Sequence, residues 1–187
     1  PRSLAKALLS SQQTNLTDLE LIQLVSFGEA ISFPSRTSPG KFRLKTFYSG
    51  WLAGDAITSG TVDLIPSRIS RIPALIESGA IRIDAVFIQI CPFDESGFAS
   101  LGIAVDAAKY AMEKASLVVG EINDEVPRTM GNTFVHISDF DFLVRASEPL
   151  IYLPRQPVDE VMERVAANVA AVIADGSCLS FYPGALF

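Results

Sequence analysis

Two apolar runs separated by one helix-length segment constrain this chain most. IDAVFIQICP, residues 83–92, is β-branched, apolar and closed by proline, and SLVVGEIN, residues 116–123, repeats that character. Between them VDAAKYAMEKA, residues 105–115, sets Ala108, Met112 and Ala115 at helical spacing. A strand that is apolar at every position, rather than at alternate ones, is covered on both faces, as strands of parallel sheets are. The composition of 83–92 predicts a central strand of such a sheet.

The rest of the chain extends this pattern. Residues 3–12 read as a helix with Leu4, Ala7 and Leu8 on one face; 19–27 and 42–49 read as strands, and 34–41 as a loop. A short helix follows at 52–60, a short strand at 62–66, and a helix over 70–79 with Gly79 just past its end. Residues 93–102 form a tight polar turn, and 134–146 carry one or two short strands. The strongest helix spans 158–176, closed by Asp175-Gly176, and a new strand starts at Ser177. Helices alternating with strands at this spacing predict an α/β fold: a three-layer, open, mostly parallel sheet with helices on both faces. In such sheets the loops at the carboxyl ends of the strands form the binding crevice. Residues 89–94 and 121–128 are both loops of that kind, after strands expected to be neighbours.

Composition limits the partners. Of 187 residues, 49% are hydrophobic and 19% charged, so the chain can bury a large core. A net charge of −6 argues against nucleic acid and against an anionic membrane surface. No apolar run approaches the roughly 20 residues that span a bilayer. Cys91 and Cys178 sit in apolar runs without metal spacing, and read as two reduced, buried thiols of a cytoplasmic protein. Both ends read as cut.

Polar chemistry concentrates in GEINDEVPRTMGNTFVHISDFDFLV, residues 120–144. It holds Asn123, Arg128, the single histidine His136, and five carboxylates. Pro127 stiffens the backbone before Arg128, whose guanidinium can grip a carboxylate or phosphate in two-toothed fashion, or pair with Glu121, Asp124 or Glu125. His136 shares a strand face with Phe134 and Ser138, and reads as a hydrogen-bonded structural residue. His136, Asp139 and Asp141 are a weak ligand set, so no metal is expected. The Ser49-Gly50 corner follows a strand and precedes a helix; its amides can face an anion or simply turn the chain. Gly97 and Gly102 allow either turns or close backbone approach. Lys41, Arg43 and Lys45 form the one dense basic cluster, and their alternation describes the exposed face of an edge strand.

An ordered series of segments resembles the acetyl-CoA hydrolase/transferase family, which includes 4-hydroxybutyrate and butyrate:acetate CoA-transferases. Pro73, Pro92, Asp94, Gly97, Ser100, Gly102, Asn123, Pro127, Arg128, Thr129, Gly131, His136, Ser138, Asp139 and Asp141 follow the family's order of motifs. The resemblance implies a CoA-transferase-like (NagB/RpiA-type) α/β domain over 1–155. It makes 156–187 a linking helix and the first strand of a second, truncated CoA-transferase domain. It implies transfer of CoA between a short-chain acyl-CoA and a carboxylate or water, through a glutamyl-CoA intermediate whose glutamate lies outside this chain. Coenzyme A enters as substrate, with no metal; the implied partners are acyl-CoA, a small carboxylate, the protein's own carboxy-terminal domain and a second copy in a homodimer. Ser49, Asn123, Arg128 and Gly131 become candidates to line the cleft, with His136, Asp139 and Asp141 holding the loop. Two positions depart from the family pattern: Tyr182 stands where glycine is usual, and Phe187 where proline is usual. Competing readings are a sugar-phosphate isomerase of similar architecture, which needs Lys41, Arg43 and Lys45 to grip phosphate, and a non-catalytic packing or dimerisation domain.

Overall fold

The computed structural model describes residues 1–13, 15–24, 41–48, 50–146, 148–152 and 157–180, with the backbone alone at 50–53. Ser49, Tyr182, Gly184 and Phe187 lie outside the described residues. The chain divides into two compact units, Pro1–Leu150 and Ile151–Phe187.

The larger unit opens with α1 (Arg2–Ser10), β1 (Leu19–Gln23), β2 (Phe42–Thr46), α2 (Gly50–Thr58) and β3 (Val62–Leu64). A 3-10 turn (Ile69–Arg71) leads into α3 (Ile72–Glu77), which ends as Gly79 takes φ +76°. Then come β4 (Ala85–Ile90), β5 (Phe98–Ser100), α4 (Ala108–Lys114), β6 (Leu117–Ile122), β7 (Phe134–His136), a 3-10 turn (Ile137–Asp139) and β8 (Phe142–Arg145).

The strands are mostly parallel, as the apolar runs predict, but they fall into separate sheets. β1, β2 and β3 form one parallel sheet, and β4, β6 and β8 another. β5 and β7 pair antiparallel. Within the second sheet β6, not β4, is the middle strand among the described residues. Gly120 permits that place: a Cβ there would stand 2.7 Å from Leu143 Cδ2 and 2.9 Å from the Phe140 ring.

The basic alternation at Arg43 and Lys45 belongs to a middle strand, which corrects the edge-strand expectation. β2 lies between β1 and β3, and its cations meet acids on both neighbours. Arg43 Nε lies 2.6 Å from Asp63 Oδ2, and Lys45 Nζ lies 2.6 Å from Glu20 Oε1. Opposite charges on adjacent strands favour this arrangement.

Two apolar clusters hold the larger unit. Ile88, Ile90, Cys91, Ala99, Leu101, Val126 and Val135 form one, which joins the middle of the β5–β7 ribbon to β4. Ile72, Ile76 and Ala111 form the other, packed against Leu24, Phe47, Ile83 and Val86.

In the smaller unit, α5 (Glu160–Val172) is capped by Asp159, whose carboxylate accepts the Met162 amide at 2.8 Å. The helix ends at Val172, short of the predicted Asp175-Gly176 stop, because Ile173 turns extended. Residues 177–180 form no strand. No described side chain of this unit is buried, so Cys178 is exposed, which corrects the expectation of two buried thiols; Cys91 is buried. No described helix is long and apolar enough to cross a membrane.

Candidate functional site

β4 and β6 pair in parallel register from Ala85↔Leu117 to Ile90↔Ile122, so the loops after them leave the same edge of the sheet. β8 ends on that edge too, with Ile122 opposite Arg145. The carboxyl ends of three parallel strands therefore meet the segments 91–97 and 123–133. A cleft of about 490 Å³ opens there, lined by Asn123, Asp124, Glu125, Arg145 and Ala146.

Asn123 is buried and both ends of its side chain are engaged. Nδ2 donates to the Glu148 carbonyl at 2.7 Å, and Oδ1 accepts the Glu125 amide at 2.9 Å. The residue thus fixes the turn that forms the cleft floor. Arg145 was not singled out from sequence. Its Nη1 stands 3.7 Å from Asp124 Oδ1, with about seven-tenths of each side chain exposed. A pair so open and so long adds little stability, and leaves the guanidinium free to exchange partners.

Arg128 finds none of the three partners that the sequence offered. Nη2 contacts Asp94 Oδ2 at 2.5 Å, Nη1 donates to the Phe98 carbonyl at 3.2 Å, and the guanidinium carbon lies 5.2 Å from the centre of the Phe134 ring. Asp94 meanwhile caps its own turn: Oδ1 accepts the Phe98 amide at 2.8 Å and the Ser96 amide at 3.0 Å. The Phe98 amide above all, then the Arg128 charge, hold the Asp94 carboxyl below the usual carboxylate range. Gly97 completes this turn at φ +80°, where a Cβ would come 2.9 Å from His136 Nε2.

Ser100 and Thr129, named in the sequence only as motif residues, meet Thr133 in a knot of hydroxyls. Ser100 is fully buried. Its Oγ accepts the Gly102 amide at 3.1 Å and the Thr129 amide at 3.2 Å, and meets Thr129 Oγ1 at 3.0 Å and Thr133 Oγ1 at 3.1 Å. Thr129 Oγ1 donates to the Gly102 carbonyl at 2.6 Å. Gly102 has φ +68° and sits against Val126, where a Cβ would be 2.6 Å from Cγ1. The serine after the Gly97 turn and the threonine after Arg128 are thus one motif in space. No local pattern in the sequence signals that these hydroxyls converge.

Gly131 has φ +92° and open space where a Cβ would stand. His136 Nδ1 lies 2.8 Å from Ser138 Oγ, and the His136 amide donates to Asp139 Oδ2 at 2.7 Å. Asp141 Oδ2 accepts the Val118 amide at 2.7 Å. His136 is the last residue of β7, so Ser138 reaches it through the 3-10 turn and not along a strand face. Asp139 and Asp141 thus bond to backbone amides, and His136 to the Ser138 amide and hydroxyl. No group of metal-ligating residues forms among the described residues.

A second unforeseen group is Glu121, a fully buried carboxylate. Oε2 accepts the Leu4 amide in the first turn of α1 at 2.9 Å, and Oε1 accepts Gln89 Nε2 at 3.2 Å. The helix dipole favours an anion at that end.

Comparison with known proteins agrees with this arrangement. The model of the acetyl-CoA hydrolase/transferase N-terminal domain matches residues 1–162. A 4-hydroxybutyrate coenzyme A transferase of Clostridium kluyveri is 32% identical over 186 residues, covering 100% of this chain and 43% of that protein. A succinyl-CoA:acetate/propanoyl-CoA:succinate CoA transferase of Fasciola hepatica is 30% identical over 173 residues, covering 92% of this chain and 36% of that protein. The chain therefore spans less than half the length of these relatives. Among solved structures, RipA of Yersinia pestis superposes with a TM-score of 0.85 at 24% identity, over 98% of this chain and 44% of that one. With two 30%-identical relatives and a family model covering most of its length, the chain belongs to the acetyl-CoA hydrolase/transferase family and corresponds to its amino-terminal domain.

Proposed function

We propose that the full-length protein moves CoA between a short-chain acyl-CoA thioester and a carboxylate or water, and that this chain supplies one wall of the site. The observation that carries this reading is the family match over residues 1–162, together with a cleft at the carboxyl ends of β4, β6 and β8. In the proposed route a glutamate outside this chain attacks the thioester carbonyl. CoA leaves as thiolate and a mixed anhydride forms. The thiolate then attacks the glutamyl carbonyl, releasing the first carboxylate and leaving glutamyl-CoA. A second carboxylate, or water, reverses or ends the sequence. Covalent catalysis of this kind divides one difficult exchange into easier ones.

Within this reading Asn123 shapes the cleft floor. Arg128 holds the Asp94 and Thr129 loops in place, and Gly131 completes the lining. His136, Asp139 and Asp141 fix the β7–β8 connection. The CoA-transfer reading is preferred to the sugar-phosphate one because, of the basic cluster at Lys41, Arg43 and Lys45, Arg43 pairs with Asp63 and Lys45 with Glu20. A cytoplasmic homodimer remains part of the proposal, to be read by light scattering of the full-length protein.

The test is to incubate the full-length protein with acetyl-CoA and isotope-labelled acetate, following label exchange and free CoA together. Exchange without net CoA release identifies a transferase, and release without exchange a hydrolase. Neither activity with acetyl, propionyl or butyryl donors would leave the domain a packing module.

A further inference from the structure

From the end of β6, every second residue holds backbone from another part of the chain. Glu121 accepts the Leu4 amide of α1 at 2.9 Å, Asn123 donates to the Glu148 carbonyl at 2.7 Å, and Glu125 accepts the Leu150 amide at 2.9 Å. Arg2 closes the circuit. It lies in the turn of α1 that Glu121 holds, and its Nη1 donates to the Pro149 carbonyl at 2.9 Å. Arg2 and Lys6, one turn apart, each stand 3.9 Å from a carboxylate oxygen of Glu148. The strip 148–150 is therefore gripped by Asn123 and Glu125, which line the cleft, and by Arg2 from α1.

Little else fixes α1. It is nine residues long, has no side-chain cap and buries none of its residues fully. A helix so short is marginal on its own, and the apolar contacts of half-buried Leu4 and Leu8 are non-directional. The acceptor for its first turn comes instead from 117 positions away. Glu121 is 0% exposed, and no lysine or arginine pairs with it among the described residues. A buried carboxylate costs more than an apolar side chain would there, so packing alone does not call for it.

We infer that Glu121 is a positioning residue for the cleft. By seating the first turn of α1 it places Arg2; Arg2 sets the strip 148–150, and the strip holds Asn123 and Glu125 in the cleft wall. Glu121 is not among the residues lining the cleft and acts through this circuit. The effect on turnover rests on the CoA-transfer reading, whereas the seating does not.

The test uses the full-length protein and two readouts: amide hydrogen exchange at Leu4 and Leu150, and kcat and KM for transfer from acetyl-CoA to labelled acetate. Glu121→Ala should speed exchange at both amides about fivefold. It should lower kcat about tenfold and leave the KM for acetyl-CoA within about twofold, because geometry and not grip is lost. Glu121→Gln should restore most of each, since its amide oxygen can accept the Leu4 amide while Gln89 turns its own oxygen to the new amine. Arg2 is half-exposed and removed from β6, so Arg2→Ala tests the circuit without emptying a buried site. It should speed Leu150 about fivefold, lower kcat, and leave Leu4 protected. Unchanged Leu150 exchange in both alanine variants would overturn the inference. So would faster Leu150 exchange with an unaltered kcat, or a fallen melting temperature with faster exchange throughout the domain, which would mark Glu121 as general scaffolding. Should Glu121→Ala not fold, Arg2→Ala and Glu121→Gln decide alone. Absence of transfer in the unsubstituted protein would refute the proposed activity, and Leu150 exchange would still decide the seating.

Discussion

Arg128 and Asp94, 34 residues apart in sequence, meet at 2.5 Å and close the loop after β4 onto the loop after β6. The guanidinium also holds the Phe98 carbonyl and lies over Phe134. Removing it leaves a carbonyl and a carboxylate without their cation. Arg128→Ala should therefore lower the melting temperature by roughly 3–6 °C, and Arg128→Lys should recover only part, because an ammonium cannot make both contacts in one plane. Calorimetry of the two variants checks this; an unchanged melting temperature would return Arg128 to the solvent-facing cleft.

Asp94 sets a pH dependence. Its folded carboxyl lies below the ordinary range, so the folded state binds fewer protons there than the unfolded one. The stabilisation is present above the unfolded value and is lost as pH falls through the folded one. Acid titration of the melting temperature should show a shallower drop below about pH 4 in Asp94→Asn than in the unsubstituted protein.

Ser100→Ala removes the acceptor that serves both the Gly102 and Thr129 amides in a buried site. Each unsatisfied donor costs about 1–3 kcal/mol. We expect a loss of about 2–4 kcal/mol in urea unfolding, with Ser100→Thr also destabilising because the added methyl has no space in so tight a knot.

The glycines separate into two classes by what surrounds them. Gly102→Ala meets Val126 Cγ1 at 2.6 Å and carries a positive φ as well. Gly131→Ala has the positive φ alone. Alanine at Gly131 should cost about 1–2 kcal/mol, from backbone strain only; at Gly102 the overpacking adds about 1–3 kcal/mol more. Paired denaturant curves measure the difference.

Glu121→Ala strips the Leu4 amide and Gln89 of their acceptor. Amide exchange should accelerate across the first turn of α1 while β6 keeps its protection. Equal exchange in the variant and the unsubstituted protein would show that α1 is held by its apolar face alone.

The sheets were legible because the strands at Ala85–Ile90 and Leu117–Ile122 read as near-continuous apolar runs and not as alternating ones. Element ends were less so: Ile173 leaves the helix ahead of the Asp175-Gly176 signal. Strand order was not legible, because Arg43 and Lys45 look alike on an edge strand and on a middle strand flanked by Asp63 and Glu20. The motif residues could be picked out in order, but not their partners. Arg128 had three acids within eight residues and bonded a fourth, Asp94, brought near by the β5–β7 ribbon. Nothing in the local pattern of Ser100, Thr129 and Thr133 tells that they converge, because only the tertiary fold brings residues 29 and 33 positions apart onto one oxygen.

That shared oxygen has a mechanical consequence. Thr129 gives its amide to Ser100 Oγ and its hydroxyl to the Gly102 carbonyl, so lifting either loop breaks both links at once. The two loops should then open together, with the Gly102 and Thr129 amides exchanging hydrogen at similar rates.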